Sequence, residues 1–380
     1  MSSSKWENLH SDILSEIIKK INNPCDHIRC SSICSSWRSV AKRHRRNLPL
    51  SKPGIMLSPR RSLYRNFIPL RHNSKFRHDV HHDLDISRFD TCCGSYKGWL
   101  VLVIQSLSFI CLHNPFSKRR RLLPTLPTSD KKVYKAVLSS SPSFDMKCIV
   151  LILFQTKGAA FCRLTDDSWK NLECGDCCYS GFSDALFLGG RIYVVDDYGR
   201  IYACNVGDTV LEPIKPQPSS DFSKMVRYKF YLVEVQGQLY RILRKFSLDE
   251  DFYYNCDNMY TDYNDHVLSR VVTQEFRVSR MERATNGWVS VHNLGGYALF
   301  LGCSNSICLS ELEVGGMIKR NKIYFTDDRQ KNTKHFGFDY PGRDMGIYDM
   351  MDMSIEPLFT DPWYELMDDP PAVWVTPLPW

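Results

Sequence analysis

The chain has 380 residues, of which 43% are hydrophobic and 24% charged, and its formal net charge is +7. This composition indicates a folded, soluble protein, and the length allows two or three domains. The longest apolar runs, Trp99 to Ile104 and Ile149 to Phe154, are far too short to span a bilayer. Residues 1–12 have no apolar signal core, so we expect the 15 cysteines to be reduced thiols in the cytosol or nucleus.

Charge is unevenly distributed along the chain. Residues 1–130 contain 22 Lys or Arg against 9 Asp or Glu, whereas residues 341–380 contain one Arg against eight acidic residues. Such asymmetry can mark a nucleic-acid surface. It can also mean that the two ends of the chain lie together in the fold.

Two or three short amphipathic helices are predicted near the N-terminus. Ser11 or Asp12 can cap the first helix, and Asn22-Asn23-Pro24 stops it. Its apolar residues at helical spacing are Ile13, Leu14, Ile17, Ile18 and Ile21. Asp26 can cap the second helix. Its apolar face carries Cys30, Ile33, Cys34, Trp37, Val40 and Ala41. So short a segment cannot bury enough surface to be stable alone, so these faces should contact other parts of the chain or another protein.

The order of residues in this region resembles the F-box motif. The matching positions are Leu9, Asp12-Ile13-Leu14, Ile17, Pro24, Asp26, Arg29-Cys30, Cys34 and Trp37-Arg38. F-box helices dock on Skp1, the small adaptor of cullin-RING ubiquitin ligases. The sequence departs from the motif at His10, where a proline usually fixes the entry to the first helix. The alternative is an ordinary helical hairpin packed on its own domain.

The resemblance implies a Skp1-binding surface on the apolar faces of these helices. The residues expected to contact Skp1 are Leu9, Ile13, Leu14, Ile17, Ile33 and Trp37. We predict an F-box over residues 1–47 and a second, larger domain over residues 48–380.

After the basic run Lys42–Arg46 the pattern changes to short β-type segments separated by turn residues. In the clearest unit, Gly189-Gly190 and Asp197-Tyr198-Gly199 separate three predicted strands. The stretch Tyr228–Arg244 repeats this arrangement around Gln236-Gly237. These loose repeats, about 40–50 residues apart, are the size of a four-stranded propeller blade.

The C-terminal region resembles the domain of unknown function 295 of plant F-box proteins. The stretches that carry this resemblance are Tyr231–Glu234, Gly296–Gly302, Asn321–Asp328 and Val373–Pro377. The resemblance implies a mainly β fold, in which F-box helices precede a β-propeller of kelch-like blades that binds the substrate. It names no substrate for this sequence.

Ring closure can be predicted from the two ends of this domain. A propeller leaves no open edge if one blade combines strands from both ends. We therefore expect Ile55-Met56-Leu57 and Val373-Trp374-Val375 to lie in the same or neighbouring blades.

The sequence offers little evidence for catalysis. It contains no phosphate loop, no catalytic triad phrase and no dinucleotide fingerprint, so we expect neither an enzyme nor a cofactor. The segment His78–Asp83 is rich in His and Asp but lacks a second group of ligands, so we expect a solvated loop and no metal. The cysteines of Cys174–Cys178 are interpreted as core or turn thiols.

Two basic runs, Lys42–Arg46 and Lys118–Arg121, could serve as nuclear import signals or contact nucleic acid. The alternative is an exposed helix end and a solvated turn after Asn114-Pro115. Aromatic residues are not interleaved with these runs as single-strand binding requires, so a nucleic-acid partner is not expected. We expect the protein in the nucleus, the cytoplasm or both.

The segment Leu248–His266 is predicted to be a long connection between two strands. Connections of this length are usually functional or disordered. Besides six acidic residues it carries the aromatic residues Phe252, Tyr253, Tyr254, Tyr260 and Tyr263. Our hypothesis is that it stands at a propeller rim and holds a basic segment of the target. The alternative is a solvated insertion.

The leading interpretation is a substrate-recognition subunit of an SCF-type (Skp1-cullin-F-box) ubiquitin ligase. The F-box would bind Skp1, and through it cullin, while the propeller would bind an unknown target protein. Catalysis would then be proximity of a target lysine to a charged conjugating enzyme. The alternatives are a propeller enzyme with a helical cap, or a propeller scaffold whose helices do not bind Skp1. No membrane partner is expected.

Overall fold

The structure is a computed structural model. It describes residues 6, 9–21, 30–44, 53–57, 63–70, 82–87, 90–104, 109–126, 132–143, 145–174, 181–215, 227–249, 270–314, 318–327, 344–359 and 372–377. Within these residues, the N-terminal part contains the helices α1 (Ser11–Lys19) and α2 (Ser35–His44), and 25 strands follow. The predicted fold class, helices followed by a mainly β propeller, is confirmed.

The described strands form five hydrogen-bonded sheets, and the eight-stranded one divides into two four-stranded halves. The described strands therefore make up six blades. Blade 1 contains β1 (Gly54–Leu57), β2 (Tyr64–Pro69), β3 (His82–Ser87) and β25 (Val373–Val375). Blade 2 contains β4 (Thr91–Tyr96), β5 (Trp99–Ile104), β6 (Phe109–Asn114) and β7 (Arg119–Leu122).

The middle of the chain supplies two further blades, which are the halves of the eight-stranded sheet. Blade 3 contains β8 (Val133–Leu138), β9 (Ile149–Phe154), β10 (Ala159–Arg163) and β11 (Lys170–Cys174). Blade 4 contains β12 (Phe182–Leu188), β13 (Arg191–Asp196), β14 (Ile201–Asn205) and β15 (Val210–Pro213). The outer strands β11 and β15 pair in parallel and join the two halves.

The last two blades complete the ring. Blade 5 contains β16 (Arg227–Val235), β17 (Gln238–Asp249), β18 (Arg270–Met281) and β19 (Trp288–Val291). Blade 6 contains β20 (Tyr297–Leu301), β21 (Ile307–Ser310), β22 (Lys322–Phe325), β23 (Gly346–Asp349) and β24 (Ile355–Pro357). Its strand order is β21-β20-β22-β23-β24, with β20 and β22 parallel.

Ring closure occurs in blade 1. The strand β25 pairs antiparallel with β1, and Ile55 lies opposite Trp374. The prediction that these two segments share a blade or lie in neighbouring blades is confirmed. The Trp374 indole also donates a hydrogen bond to the Leu301 carbonyl of blade 6 (2.9 Å), and the Trp374 carbonyl accepts one from Ser95 of blade 2 (2.6 Å), so the closing strand is attached to blades on both sides.

The core of the propeller consists of six apolar clusters, one between each pair of neighbouring blades. Strand β13 shows how the sequence produces this arrangement. Its alternate residues point to opposite faces, so Val194 packs in the cluster shared with blade 3 and Val195 in the cluster shared with blade 5. A strand covered on both faces needs an unbroken apolar run, as parallel sheets buried on both sides do.

In each blade the strand nearest the ring axis is the inner strand, for example β25, β4, β8 and β12 in blades 1 to 4. The direction of these inner strands distinguishes two faces of the ring. Strand β1 begins opposite the end of β25 (Gly54 with Val375), and Ser95, near the end of β4, donates to the backbone of β25. The chain therefore enters the propeller at the face where inner strands end, which we call the entry face. We call the opposite face, at which the inner strands β8 and β12 begin, the distal face.

Two sequence interpretations differ from the structure. The alternative given for the basic run Lys118–Arg121 was a solvated turn, but Arg119–Leu122 forms the outer strand β7, because Asn114 already closes the turn by accepting from the amides of Phe116 and Ser117. In blade 5, β17 extends to Asp249, two residues into the predicted connection Leu248–His266, and β18 begins at Arg270, after the predicted end of that connection. Residues 250–269 lie outside the described part.

Candidate functional site

Helix α1 begins differently from the prediction. Its N-cap is His10, whose Nδ1 accepts a hydrogen bond from the Asp12 amide (3.4 Å), so neither Ser11 nor Asp12 has this role. Asp12 lies in the first turn, where a carboxylate is favoured by the helix dipole. His10 therefore supplies a capping acceptor at the position where the F-box motif usually has proline.

The two helices share a small core of their own. Its fully buried members are Leu14, Ile18, Trp37, Val40 and Ala41. Polar contacts at the edges reinforce it. The Trp37 indole donates to the Trp6 carbonyl (2.9 Å), and Ser15 Oγ hydrogen bonds to His44 Nε2 (2.5 Å). The helical pair is therefore held in one arrangement by contacts within the N-terminal segment.

The six predicted Skp1 contacts fall into two groups in this structure. Ile13 and Ile33 are 54% and 49% exposed, and both are large apolar side chains facing solvent. Leu14 and Trp37 are buried between the helices. The remaining two, Leu9 and Ile17, are partly buried. The assignment of these six residues to Skp1 remains a prediction.

Sequence reasoning did not include Trp6 among the candidate contacts. Its side chain is 63% exposed, although its carbonyl is fixed by the Trp37 indole. An aromatic residue three positions before the motif's first leucine was the only available signal. Exposed aromatic residues are typical contact points in protein interfaces.

Inside the ring, one buried carboxylate connects four blades. Asp184 Oδ1 lies 2.7 Å from Lys135 Nζ, and both side chains are almost completely buried. Asp184 Oδ2 accepts hydrogen bonds from the Leu232 amide (3.0 Å) and the Ser306 hydroxyl (2.9 Å). Because these partners belong to blades 3, 5 and 6, we call this group the Asp184 hub. The polar groups of the hub therefore bind one another across blade boundaries and stabilise the ring.

A second buried group joins blades 5 and 6. The Arg244 guanidinium donates to Thr273 Oγ1 (2.8 Å) and to the Thr326 carbonyl (2.8 Å), and it pairs with Asp344 Oδ2 (3.0 Å). It also lies over the Phe325 ring, 4.6 Å from the ring centre. These contacts balance the buried charge, as the burial of an arginine requires.

The candidate ligand sites from the sequence receive no support from the described residues. In that part of the chain, no group of three or more His, Cys, Asp or Glu side chains could hold a metal ion. Most of His78–Asp83 and of Cys174–Cys178 lies outside it, as do all five aromatic residues of the predicted substrate loop. None of the described helices is long and apolar enough to cross a membrane.

Similarity to known families covers most of the chain. The family model of the KIB1-4 beta-propeller matches residues 67–349, and that of the F-box domain matches residues 6–48. Among solved structures, the N-terminal domain of Nup159 gives a TM-score of 0.33 at 10% identity over 82% of this chain and 75% of that chain. This structural similarity is too low to support a conclusion.

Similar proteins occur in Arabidopsis thaliana. The protein At5g55150 is 27% identical over 86% of both chains. F-box protein SKIP23 is 24% identical over 98% of this chain and 95% of its own, and F-box protein At2g26160 is 24% identical over 87% of this chain and 98% of its own. The family match covers well over half of the chain, so the protein belongs to the KIB1-4 β-propeller family and is an F-box protein of the type found in plants.

Proposed function

We propose that the chain is a substrate-recognition subunit of an SCF-type ubiquitin ligase. The F-box binds a Skp1-type adaptor, and through it cullin, while the propeller binds the target protein. The chain itself has no active site and needs no cofactor, and it works in the nucleus, the cytoplasm or both. The F-box domain and the F-box relatives support the general adaptor role.

The observation that carries the adaptor proposal is the exposure of Ile13 and Ile33 beside a core that is already filled. Large apolar side chains gain most from burial, about 1.5–3 kcal/mol each. A partner that covers them supplies this gain without rearranging the helices. The adaptor therefore docks on the exposed side of α1 and on the segment that precedes α2.

The propeller is suited to hold a target away from this contact. The chain enters at the entry face, whereas the strands β17 and β18 end and begin at the distal face. Target recognition on the distal face or on the blade flanks leaves the entry side to the F-box and its adaptor. The alternatives, a propeller enzyme or a scaffold without adaptor binding, have no described residue group in their favour.

The test is a pull-down of the purified full chain with a Skp1-type adaptor. Ile13→Asp should abolish capture, because truncating a central apolar contact costs about 2–4 kcal/mol and a buried carboxylate costs more. Leu312→Asp, at a fully solvent-exposed turn of blade 6, is the matched control and should bind like the unmodified chain. Undiminished capture by Ile13→Asp would refute this contact surface, and no capture by the unmodified chain would refute the proposed function.

A further inference from the structure

Two arginines and two aromatic rings lie next to each other where blade 4 meets blade 5. Their residues are Tyr198, Arg200, Arg241 and Trp288, and we call this group the Arg241 patch. The Arg241 Nη1 donates to the Gly199 carbonyl (2.8 Å), so the turn that carries Tyr198 and Arg200 touches the middle of blade 5. This contact brings the Arg200–Tyr198 pair next to the Arg241–Trp288 pair across the boundary between the two blades.

Each guanidinium in the patch lies over an aromatic ring. Arg241 is 4.5 Å from the ring centre of Trp288, and Arg200 is 5.2 Å from that of Tyr198. Stacking of this kind fixes the plane of a guanidinium and leaves its N–H edge to a partner. Tyr198 is exposed, while the other three side chains are half-buried. The patch is thus ordered and reachable from solvent.

The two arginines differ in their charge balance. Arg200 pairs with the buried Asp196 carboxylate (2.7 Å). Among the described residues, Arg241 has no carboxylate within ion-pair distance, and its contact is with the neutral Gly199 carbonyl. Burial lowers the pKa of Arg241 to about 10, because desolvation disfavours its charge. A carboxylate from a partner would stabilise the charged form of Arg241 and so offset the cost of its desolvation.

We propose that the Arg241 patch binds an acidic, carboxylate-bearing segment of the protein that this chain recruits. This identification of the partner as a ubiquitination target rests on the proposed function. Arginine presents a planar fork that matches a carboxylate, and Tyr and Trp supply rigid apolar area around it. Arg, Tyr and Trp are also the residue types that dominate binding energy in protein interfaces.

A nucleic-acid partner fits the patch less well. Binding to a phosphate backbone depends on many cations along a track, since affinity grows with the number of phosphates neutralised. The patch offers one uncompensated guanidinium among its four residues. One charge framed by aromatic rings suits a single carboxylate with an adjoining apolar side chain.

The probe for the test is a fluorescein-labelled peptide of alternating Glu and Ser, and its control is the same peptide with Gln in place of Glu. Fluorescence anisotropy with the full chain should show tighter binding of the Glu peptide, weakening as salt is added. Arg241→Gln should reduce its affinity about tenfold or more. The matched control is Arg277→Gln on the same blade. The Arg277 side chain is 67% exposed and pairs with Glu275, and its loss should leave binding unchanged.

Several outcomes would overturn the proposal. Equal binding of the Glu and Gln peptides to the unmodified chain would do so without any variant, so misfolding of Arg241→Gln cannot hide the answer. Arg241→Lys provides a milder change that keeps the charge but loses the fork, and it should weaken binding less than Arg241→Gln. Tighter binding of a single-stranded oligonucleotide than of the Glu peptide would assign the patch to nucleic acid instead.

Adaptor capture by the same samples separates this proposal from the proposed function. Glu-peptide binding without adaptor capture would retain the patch and refute the ligase role. Adaptor capture without discrimination between the peptides would retain the ligase role and refute the patch.

Discussion

The F-box helices and the propeller bury their apolar residues in different ways. The helical pair has a single cluster with five buried residues, whereas the propeller spreads its core over six clusters, each shared by two blades. In the helical pair every buried residue contacts the one core, so one truncation affects the whole unit. In the ring, apolar losses stay local, and the buried polar groups that join several blades are the sensitive positions.

The largest effect is expected at the Asp184 hub. Asp184→Ala leaves the buried Lys135 ammonium without a counter-charge and removes the acceptor of the Leu232 amide and the Ser306 hydroxyl. Removing one partner of a buried pair costs about 3–5 kcal/mol, and denaturant unfolding of the propeller measures it. Asp352→Ala, which alters only an exposed turn contact to Ser354, is the control. Equal stability of both variants would show that the hub is not essential to the ring.

A slightly smaller effect is expected in the helical pair, where adjacent residues have opposite roles. Leu14→Ala should destabilise the F-box by about 3 kcal/mol, because it opens a cavity in its only cluster. Ile13→Ala should change its stability by less than about 0.5 kcal/mol, since this side chain is exposed. Hydrogen exchange of the amides of α1 and α2 reports the difference. Similar loss of protection in both variants would contradict the separation into core and contact residues.

Turn glycines give a matched pair within one blade. Gly189 and Gly199 both have positive φ, but a Cβ at Gly189 would meet nothing within 4 Å, whereas one at Gly199 would lie 2.6 Å from the Phe230 ring. Gly189→Ala should therefore cost about 1–2 kcal/mol for the left-handed conformation alone. Gly199→Ala should cost about 2 kcal/mol more, because blade 5 must move. Equal melting temperatures would show that the contact between the blades yields without strain.

The smallest effect concerns pH. Asp197 is exposed as a residue, but its carboxyl is partly desolvated by its neighbours, which raises its pKa, and the hydrogen bond from Ser183 and the charge of Lys229 offset this only in part. A carboxyl whose pKa is higher in the folded state stabilises the fold below its unfolded pKa, and this contribution is lost as pH rises through the folded value. Asp197→Asn should therefore gain stability relative to the unmodified chain as the pH rises from below about 4 to neutral. A stability difference that does not vary with pH would contradict this.

The strands that the sequence predicted well are those with apolar runs or paired turn residues. The segments Trp99–Ile104 and Ala185–Cys204 form strands as expected, since their residues are covered on both faces. The strand β7 was missed, because a charged run that forms a sheet edge has no apolar pattern. The two-residue parallel pairing of β11 with β15 depends on how neighbouring blades meet, which no local pattern records.

The position of the helical pair was predictable, but the exposure of its residues was not. The F-box motif indicates these helices, and the adaptor contact on them stays a prediction, but the spacing of Ile13 and Leu14 on one helix does not show which of them is buried and which is exposed. That choice depends on where α2 packs. Likewise, the sequence gives Lys135 and Asp184 as isolated charges 49 positions apart, and only the closed ring brings them to 2.7 Å.

The antiparallel pair of β1 and β25 has a consequence for synthesis. Gly54 lies opposite Val375, so blade 1 cannot be completed until roughly 320 further residues have left the ribosome. At typical elongation rates this takes on the order of half a minute. During that interval β1 offers an unpaired edge to other nascent chains. Chaperones that shield this edge should therefore raise the yield of the full-length protein in recombinant expression.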